Sequence, residues 1–282
     1  MECHPPEPPG PRRRPPDRAD GPAVSPSDPT VRRLAMQAAV FDKPSRSFLA
    51  ACRDEPVGVA VDLGCGTGHS TRLVATQLRP GRTIGLDSSA AALQAARYGT
   101  RNPTVGYVQH DVGVTPFPVD TRNGDAGPDL AYSRFLLAYV PGPVELAARW
   151  IDELAPGGRL LLDEGTAVRT SHEPIGRYLE IVGALLEHRG AAVDVGALLD
   201  GVAGLPGVDL AYSRRLAFTP PAREVAAMFR GNIATWRDDP FVTTHVGPAA
   251  VGWVDRELEA LALSPTWEGV TWEIRQVVLR RR

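Results

Sequence analysis

Lysine is almost missing from this chain: Lys43 is the sole lysine among 31 basic residues in 282. The skew toward arginine fits GC-rich codons and points to no activity. Cysteine is also scarce. Cys3, Cys52 and Cys65 are too few and too scattered for a disulfide framework or a zinc site. No run of about 18 apolar residues occurs, so nothing is predicted to span a membrane. The first residues lack the apolar stretch of a secretory signal. A basic excess is missing too, since 31 basic residues face 33 acidic ones for a net charge of -2. Nucleic-acid binders need clustered Lys and Arg against phosphate, so that partner class is disfavoured. These absences together predict a soluble, cytoplasmic chain with no nucleic-acid and no membrane partner.

What is present fits a globular protein. Hydrophobic residues reach 43% and charged residues 23%. A chain of this length buries about 75% of its unfolded surface. Proline crowds the start, with ten in the first 30 residues around the basic run Arg12-Arg13-Arg14. Such a segment buries too little apolar surface to offset its ordering entropy, so residues 1–28 are predicted to be a disordered tail. Residues 29–282 then form one domain. Asp28 suits a helix cap and Pro29 its first position. A helix follows over residues 29–38, with a second short one over 45–53 after Pro44.

From residue 57 short apolar runs alternate with helical patterns. Strands are predicted at 57–63, 82–87, 105–111, 128–133 and 159–163, with helices over 70–78, 88–97 and 144–154 between them. Such alternation predicts an α/β fold with a parallel sheet and right-handed crossovers. After residue 166 the alternation stops. Added helices over about 170–205 and 221–263 are candidates for a helical lid over the sheet's carboxyl edge. Two more strands are predicted at 208–218 and 271–279.

One motif carries chemistry. Asp62-Leu63-Gly64-Cys65-Gly66-Thr67-Gly68 lies where a strand ends and a helix begins. Glycines there let the backbone turn sharply and approach a ligand closely. Asp62 can answer a ligand ammonium group. Asp87, 19 residues beyond Gly68, ends the second strand, where an acid takes the hydroxyls of a ribose. Asp111 ends the third strand, within reach of an adenine amino group. A nicotinamide dinucleotide is the rival ligand, but its fingerprint is Gly-x-Gly-x-x-Gly and its pyrophosphate would be repelled by Asp62.

On these residues the chain resembles the class I S-adenosylmethionine-dependent methyltransferases, over roughly residues 57–165. Asp129-Leu130-Ala131-Tyr132-Ser133-Arg134-Phe135 is similar to the family's fourth-strand motif, and Leu154-Ala155-Pro156-Gly157-Gly158 to the turn before its fifth strand. The resemblance implies a Rossmann-like seven-stranded sheet, mostly parallel, with an antiparallel last strand and helices on both faces. It implies S-adenosylmethionine as cofactor and S-adenosylhomocysteine as product. The implied cofactor contacts are Asp62, Gly64, Cys65, Gly66, Gly68, Asp87, Ser88, His110, Asp111, Val112, Ser133 and Arg134.

The acceptor is less legible. The Asn/Asp-Pro-Pro-Tyr/Phe tetrapeptide of the family's adenine and glutamine amine methyltransferases does not occur at Asp129-Leu130-Ala131-Tyr132. The small-molecule branch is the nearest likeness, with methyl transfer to O, N or C of a metabolite or natural product. Holding nucleophile and methyl group in line supplies about 7–11 kcal/mol, so a base is optional. The candidates for one are Glu164, which follows the fifth strand, and His245, in an irregular stretch between added helices. Tyr139 could touch cofactor or substrate. Met228, Phe229 and Trp236 are either core or an aromatic substrate wall. Two other readings stay open: a non-catalytic S-adenosylmethionine or S-adenosylhomocysteine binder, and a peptide or protein methyltransferase. A homodimer is also left open, and no metal-ligand constellation is read.

Overall fold

The computed structural model describes residues 28–114, 117–191 and 195–282. The expected disordered tail lies outside the described residues up to Asp28. Asp28 Oδ1 accepts from the backbone N–H of Thr30 at 2.8 Å and of Val31 at 3.3 Å, capping α1, Pro29–Ala51. Two helices were expected here, but α1 is one element with Pro44 inside it. The proline lacks an N–H, yet its carbonyl accepts from the Gln276 side chain at 3.2 Å. Ser45, Phe48 and Leu49 beyond it are buried, so core packing carries the helix past the break.

Beyond α1 the chain winds as the alternation predicts. The strands are β1 Val59–Leu63, β2 Arg82–Asp87, β3 Val105–Gln109, β4 Leu130–Arg134, β5 Arg159–Thr170, β6 Val208–Phe218 and β7 Val270–Arg281. They form one seven-stranded sheet in the order β3-β2-β1-β4-β5-β7-β6. The pairs among β1 to β5 are parallel, and β7 runs antiparallel to both β5 and β6. β1 is buried along its whole length, as a strand covered on both faces must be.

The helices are α2 His69–Leu78, α3 Ala90–Tyr98, α4 Pro143–Glu153, α5 Glu173–His188, α6 Val195–Ala203, α7 Ala222–Ile233, α8 Pro240–His245 and α9 Pro248–Leu263. One face of the sheet packs Val61, Leu86 and Leu162 with Trp150 of α4 and Leu199 of α6. Trp150, fully buried, donates its indole N–H to Val112 O at 2.8 Å. The other face packs Ala60, Tyr132 and Leu161 with Phe48 of α1 and Val74 of α2. A further cluster joins α1, α5, α7 and α9 above β7. Thus the cover expected over 170–205 divides: α5 rises over the carboxyl edge, while α6 packs beside α4 on the sheet. The stretch ending in His245, read as irregular, is the short helix α8, capped by Asp239 Oδ1 on the Phe241 N–H at 2.8 Å.

Under α1 lies a buried polar knot. Asp163, 1% exposed, accepts from Ser45 Oγ at 2.6 Å, Tyr132 O–H at 3.0 Å and Gln276 Nε2 at 3.1 Å. Arg134 reaches the same serine, its Nη1 donating to Ser45 Oγ at 3.3 Å. The knot ties α1 to β4, β5 and β7 with its acceptors satisfied, as a buried carboxylate requires.

Candidate functional site

The strand order reverses between β1 and β4, because β2 lies to one side of β1 and β5 to the other side of β4. The loops leaving those two strands diverge, and ligands of open α/β sheets bind in the crevice so formed. A cavity of about 410 Å³ sits there. Its floor is Gly64, Cys65, Gly66 and Thr67 after β1, and Arg134, Phe135 and Leu136 at the end of β4.

The glycine loop is held from three sides. Gly64, Gly66 and Gly68 all have positive φ. At Gly68, the N-cap of α2, φ is 75° and an added Cβ would collide with the Tyr107 hydroxyl. Asp87 closes the loop from β2: its Oδ2 accepts from Gly66 N at 2.8 Å and its Oδ1 from Ser89 N at 2.9 Å. Asp62 closes it from below, where Oδ2 accepts from Ser70 Oγ at 2.7 Å and Thr71 Oγ1 at 2.6 Å. Asp62 is 1% exposed, and burial pushes its carboxyl up to about 6. It therefore ties β1 to the start of α2, and the lining of the cavity includes neither Asp62 nor Asp87.

The other expected contacts divide by place. Ser88 is exposed beyond Asp87, and its carbonyl accepts from Gln109 Nε2 at 3.0 Å. His110, Asp111 and Val112 form the turn after β3. Exposed Asp111 accepts from Gly113 N at 2.9 Å, His110 Nε2 lies 2.8 Å from Val114 O, and Val112 is buried in the core. Ser133 is fully buried with its hydroxyl unpaired, behind the cavity wall. His69, at the start of α2, lines the cavity, and burial with Arg72 and Arg134 nearby lowers it to about 4. It is neutral at physiological pH.

The two catalytic candidates separate. Glu164 reaches the site, lining a second cavity of about 270 Å³. Its Oε1 accepts from the N–H groups of Leu136 at 3.1 Å and Leu137 at 3.3 Å. Burial pushes its carboxyl up to about 8. Glu164 holds the turn after β4 and keeps its proton at neutral pH. His245 lies elsewhere: it is exposed at the end of α8, its Nδ1 3.0 Å from Phe241 O and its ring stacked on Phe241 at 4.6 Å. It lines neither cavity, so the histidine chosen for its place in a loop is a helix-end residue.

Sequence reasoning missed α1 as a wall of the site. Arg33 and Gln37 line both cavities, as do Phe135, Tyr139 and Asn232. Phe135 has φ 54°, a left-handed conformation that costs a non-glycine residue roughly 1–3 kcal/mol. Its ring meets Phe41 of α1 edge-on at 4.4 Å. β5 bulges between Gly165 and Ala167, directly beside it, and Thr166 turns into the second cavity. Met228 and Phe229 are both core and cavity wall, and Trp236 lines the first cavity. Among the described residues no group of three or more His, Cys, Asp or Glu could hold a metal ion.

A family model described as a methyltransferase domain matches residues 60–158. A crystal structure of a candidate methyltransferase from Bacillus halodurans superposes with a TM-score of 0.53 at 18% identity, covering 84% of this chain and 98% of its own. Over residues 60–158 the chain resembles a methyltransferase domain, and its fold is shared with that structure. The domain includes the glycine loop, Asp87 and the fourth strand. Trans-aconitate 2-methyltransferase from Paracidovorax citrulli is 35% identical over 164 residues, 58% of this chain and 59% of that one. The phosphoethanolamine N-methyltransferase 2 of Haemonchus contortus, solved with phosphomonomethylethanolamine and S-adenosylhomocysteine, has a TM-score of 0.53 at 16% identity. It covers 90% of this chain and 58% of its own. The chain thus spans only part of the length of the curated relatives it matches, between 48% and 59% of the first three. No described helix is long and apolar enough to cross a membrane.

Proposed function

We propose that this chain binds S-adenosylmethionine over its glycine loop and transfers the methyl group to a small-molecule acceptor. The observation that carries the reading is the pair of cavities at the β1/β4 switch point, joined through Arg33, Gln37, Phe135 and Tyr139. The residues fit the cofactor. In the loop's cradle a side chain at Gly64 would crowd Leu136 and one at Gly66 would crowd Leu34, both in the first cavity's lining, and Asp87 stands at the end of β2 where a ribose would lie. When bound, S-adenosylmethionine supplies an electrophilic methyl group on a positively charged sulfur.

The protein's own part is placement. Asp87 and Asp62 fix the loop, Glu164 fixes the turn after β4, and Arg134 offers a cation for the methionine carboxylate. The second cavity brings the acceptor against the same Phe135–Tyr139 wall. Orientation of this kind converts a bimolecular step into an effectively unimolecular one. Burial holds His69 down at about 4 and Glu164 up at about 8, so this reading rests on placement and assigns neither as a base. The curated relatives act on trans-aconitate, a small organic acid, which supports an acceptor of low molecular mass.

The test is calorimetric titration with S-adenosylmethionine, S-adenosylhomocysteine and NAD, then a screen of metabolites for methyl uptake. Binding of the first two with silence for NAD is expected. Binding of NAD alone would overturn the reading. Tight binding with no acceptor among small molecules would favour a binding-only role.

A further inference from the structure

Resting on the methyltransferase reading, we infer that the acceptor is a monocarboxylate with an apolar body, its carboxylate met by Arg33. The second cavity is walled by rings and aliphatic chains. Phe41 meets Phe135 at 4.4 Å and Trp272 at 4.8 Å, both edge-on, and Val168, Leu179 and Met228 complete the lining. Such a box suits an aromatic or branched hydrocarbon body. Its polar side chains, Gln37, Thr166, Tyr178 and Asn232 among them, carry no charge.

Arg33 is the exception. It is the one cation lining this cavity among the described residues, and it stands where the two cavities join. Its Nε is buried with no hydrogen-bond partner, and no acidic side chain lies within ion-pair distance among the described residues. A guanidinium stays protonated in proteins, so this is a half-buried charge awaiting an anion. Glu164, the acid of the same cavity, does not answer it. Its Oε1 is engaged by two backbone N–H groups, and burial keeps it protonated.

The cofactor's own carboxylate has a separate candidate. Arg134 lines only the first cavity, beside the glycine loop, while Arg189 there is paired with Asp239 at 2.5 Å. One anion therefore falls to Arg134 and one to Arg33. A tricarboxylate such as trans-aconitate would place one carboxylate at Arg33 and leave two facing a lining with no second cation among the described residues. A single carboxylate on an apolar body satisfies both features of the cavity.

The experiment titrates the whole chain, first saturated with S-adenosylhomocysteine, with hexanoate, octanoate, decanoate, indole-3-acetate and trans-aconitate. Affinity should rise about fourfold per added methylene while the chain fits the cavity. Indole-3-acetate should bind at least about tenfold tighter than trans-aconitate, the single carboxylate being matched and the others not. Arg33→Met should remove most monocarboxylate affinity at saturating S-adenosylhomocysteine, and Arg33→Lys should restore part of it. Unchanged melting temperature of Arg33→Lys guards against a folding artefact. A flat chain-length series, or tighter binding of trans-aconitate, overturns the inference. So does an Arg33→Met variant that loses the S-adenosylhomocysteine site and keeps acceptor affinity. Failure of the unaltered chain to bind S-adenosylhomocysteine at all would instead strike down the methyltransferase reading beneath it.

Discussion

Asp87 at the end of β2 accepts the Gly66 amide at 2.8 Å, so one carboxylate both ends its strand and holds the neighbouring strand's loop. Its other oxygen takes the Ser89 amide, fixing the entry to α3. A ligand hydroxyl that reaches Asp87 therefore meets a carboxylate already oriented by the loop beneath the ligand.

Replacing Asp87 with alanine should weaken S-adenosylmethionine binding by about 1–3 kcal/mol, through loss of a charge-assisted hydrogen bond and of the loop's tether. Isothermal calorimetry reads this directly. Unchanged affinity would place the ribose elsewhere.

Glycine positions should respond in opposite directions. Gly68→Ala forces a Cβ into a left-handed residue and onto the Tyr107 hydroxyl, and should cost at least about 2 kcal/mol. Gly183→Ala, in the middle of α5 with open space around its Cα, should gain about 0.5–1 kcal/mol. Urea denaturation of the two variants separates a site glycine from an incidental one.

Glu164 gives stability a pH slope. Burial raises its folded carboxyl from the ordinary 4.5 to about 8, so between those values the folded chain keeps a proton that the unfolded chain has released. The resulting stabilisation is whole below about pH 4.5 and is lost as pH rises through 8. Asp62, raised to about 6, acts in the same direction over a lower window. Glu164→Gln should flatten the fall in stability between pH 6 and 8.5, measured by denaturant midpoints. An equal slope in both proteins would show that the carboxyl titrates normally.

Asp163→Ala should destabilise the fold by about 3–5 kcal/mol, because Ser45, Tyr132 and Gln276 would each keep a buried donor without its acceptor. Asp163→Asn, which keeps one oxygen, should cost less. Thermal melts of the two, with binding of S-adenosylhomocysteine to the surviving fold, test whether the knot also sets the site.

Much of the sheet could be read from the sequence. β2 and β6 begin and end where the apolar runs do, and the antiparallel last strand follows the resemblance. Glycine, proline or charge bounds β2 and β6, and local pattern decides their ends. The apolar run of β5 ends at Asp163, and pairing with β7 across a bulge carries the strand on to Thr170. α1 was split because proline ordinarily ends a helix, whereas here tertiary packing of Phe48 and Leu49 overrides it.

The site was legible only where the backbone makes it. The glycine loop and Asp87 announce themselves by spacing. Arg33 and Gln37 do not, because nothing local marks which face of a long helix will lie over a cavity. Phe135 could have been suspected from its place after the fourth strand, but its left-handed backbone has no sequence signal. His245 was chosen for a loop that is a helix, and helix ends collect histidines for their own reasons.

The single run of α1 makes it a lever. Its Ser45 end is pinned in the polar knot, and Arg33 lies twelve residues away along the same helix, roughly 18 Å at 1.5 Å per residue. A tilt of about 5° around the pin would carry Arg33 by roughly 1.5 Å, and a misplacement near 1 Å is enough to lose about a hundredfold in a positioned reaction. Packing faults around Phe48 and Leu49, beyond the pin where α1 lies on the sheet, would thus be felt first as lost selectivity at the cavity mouth.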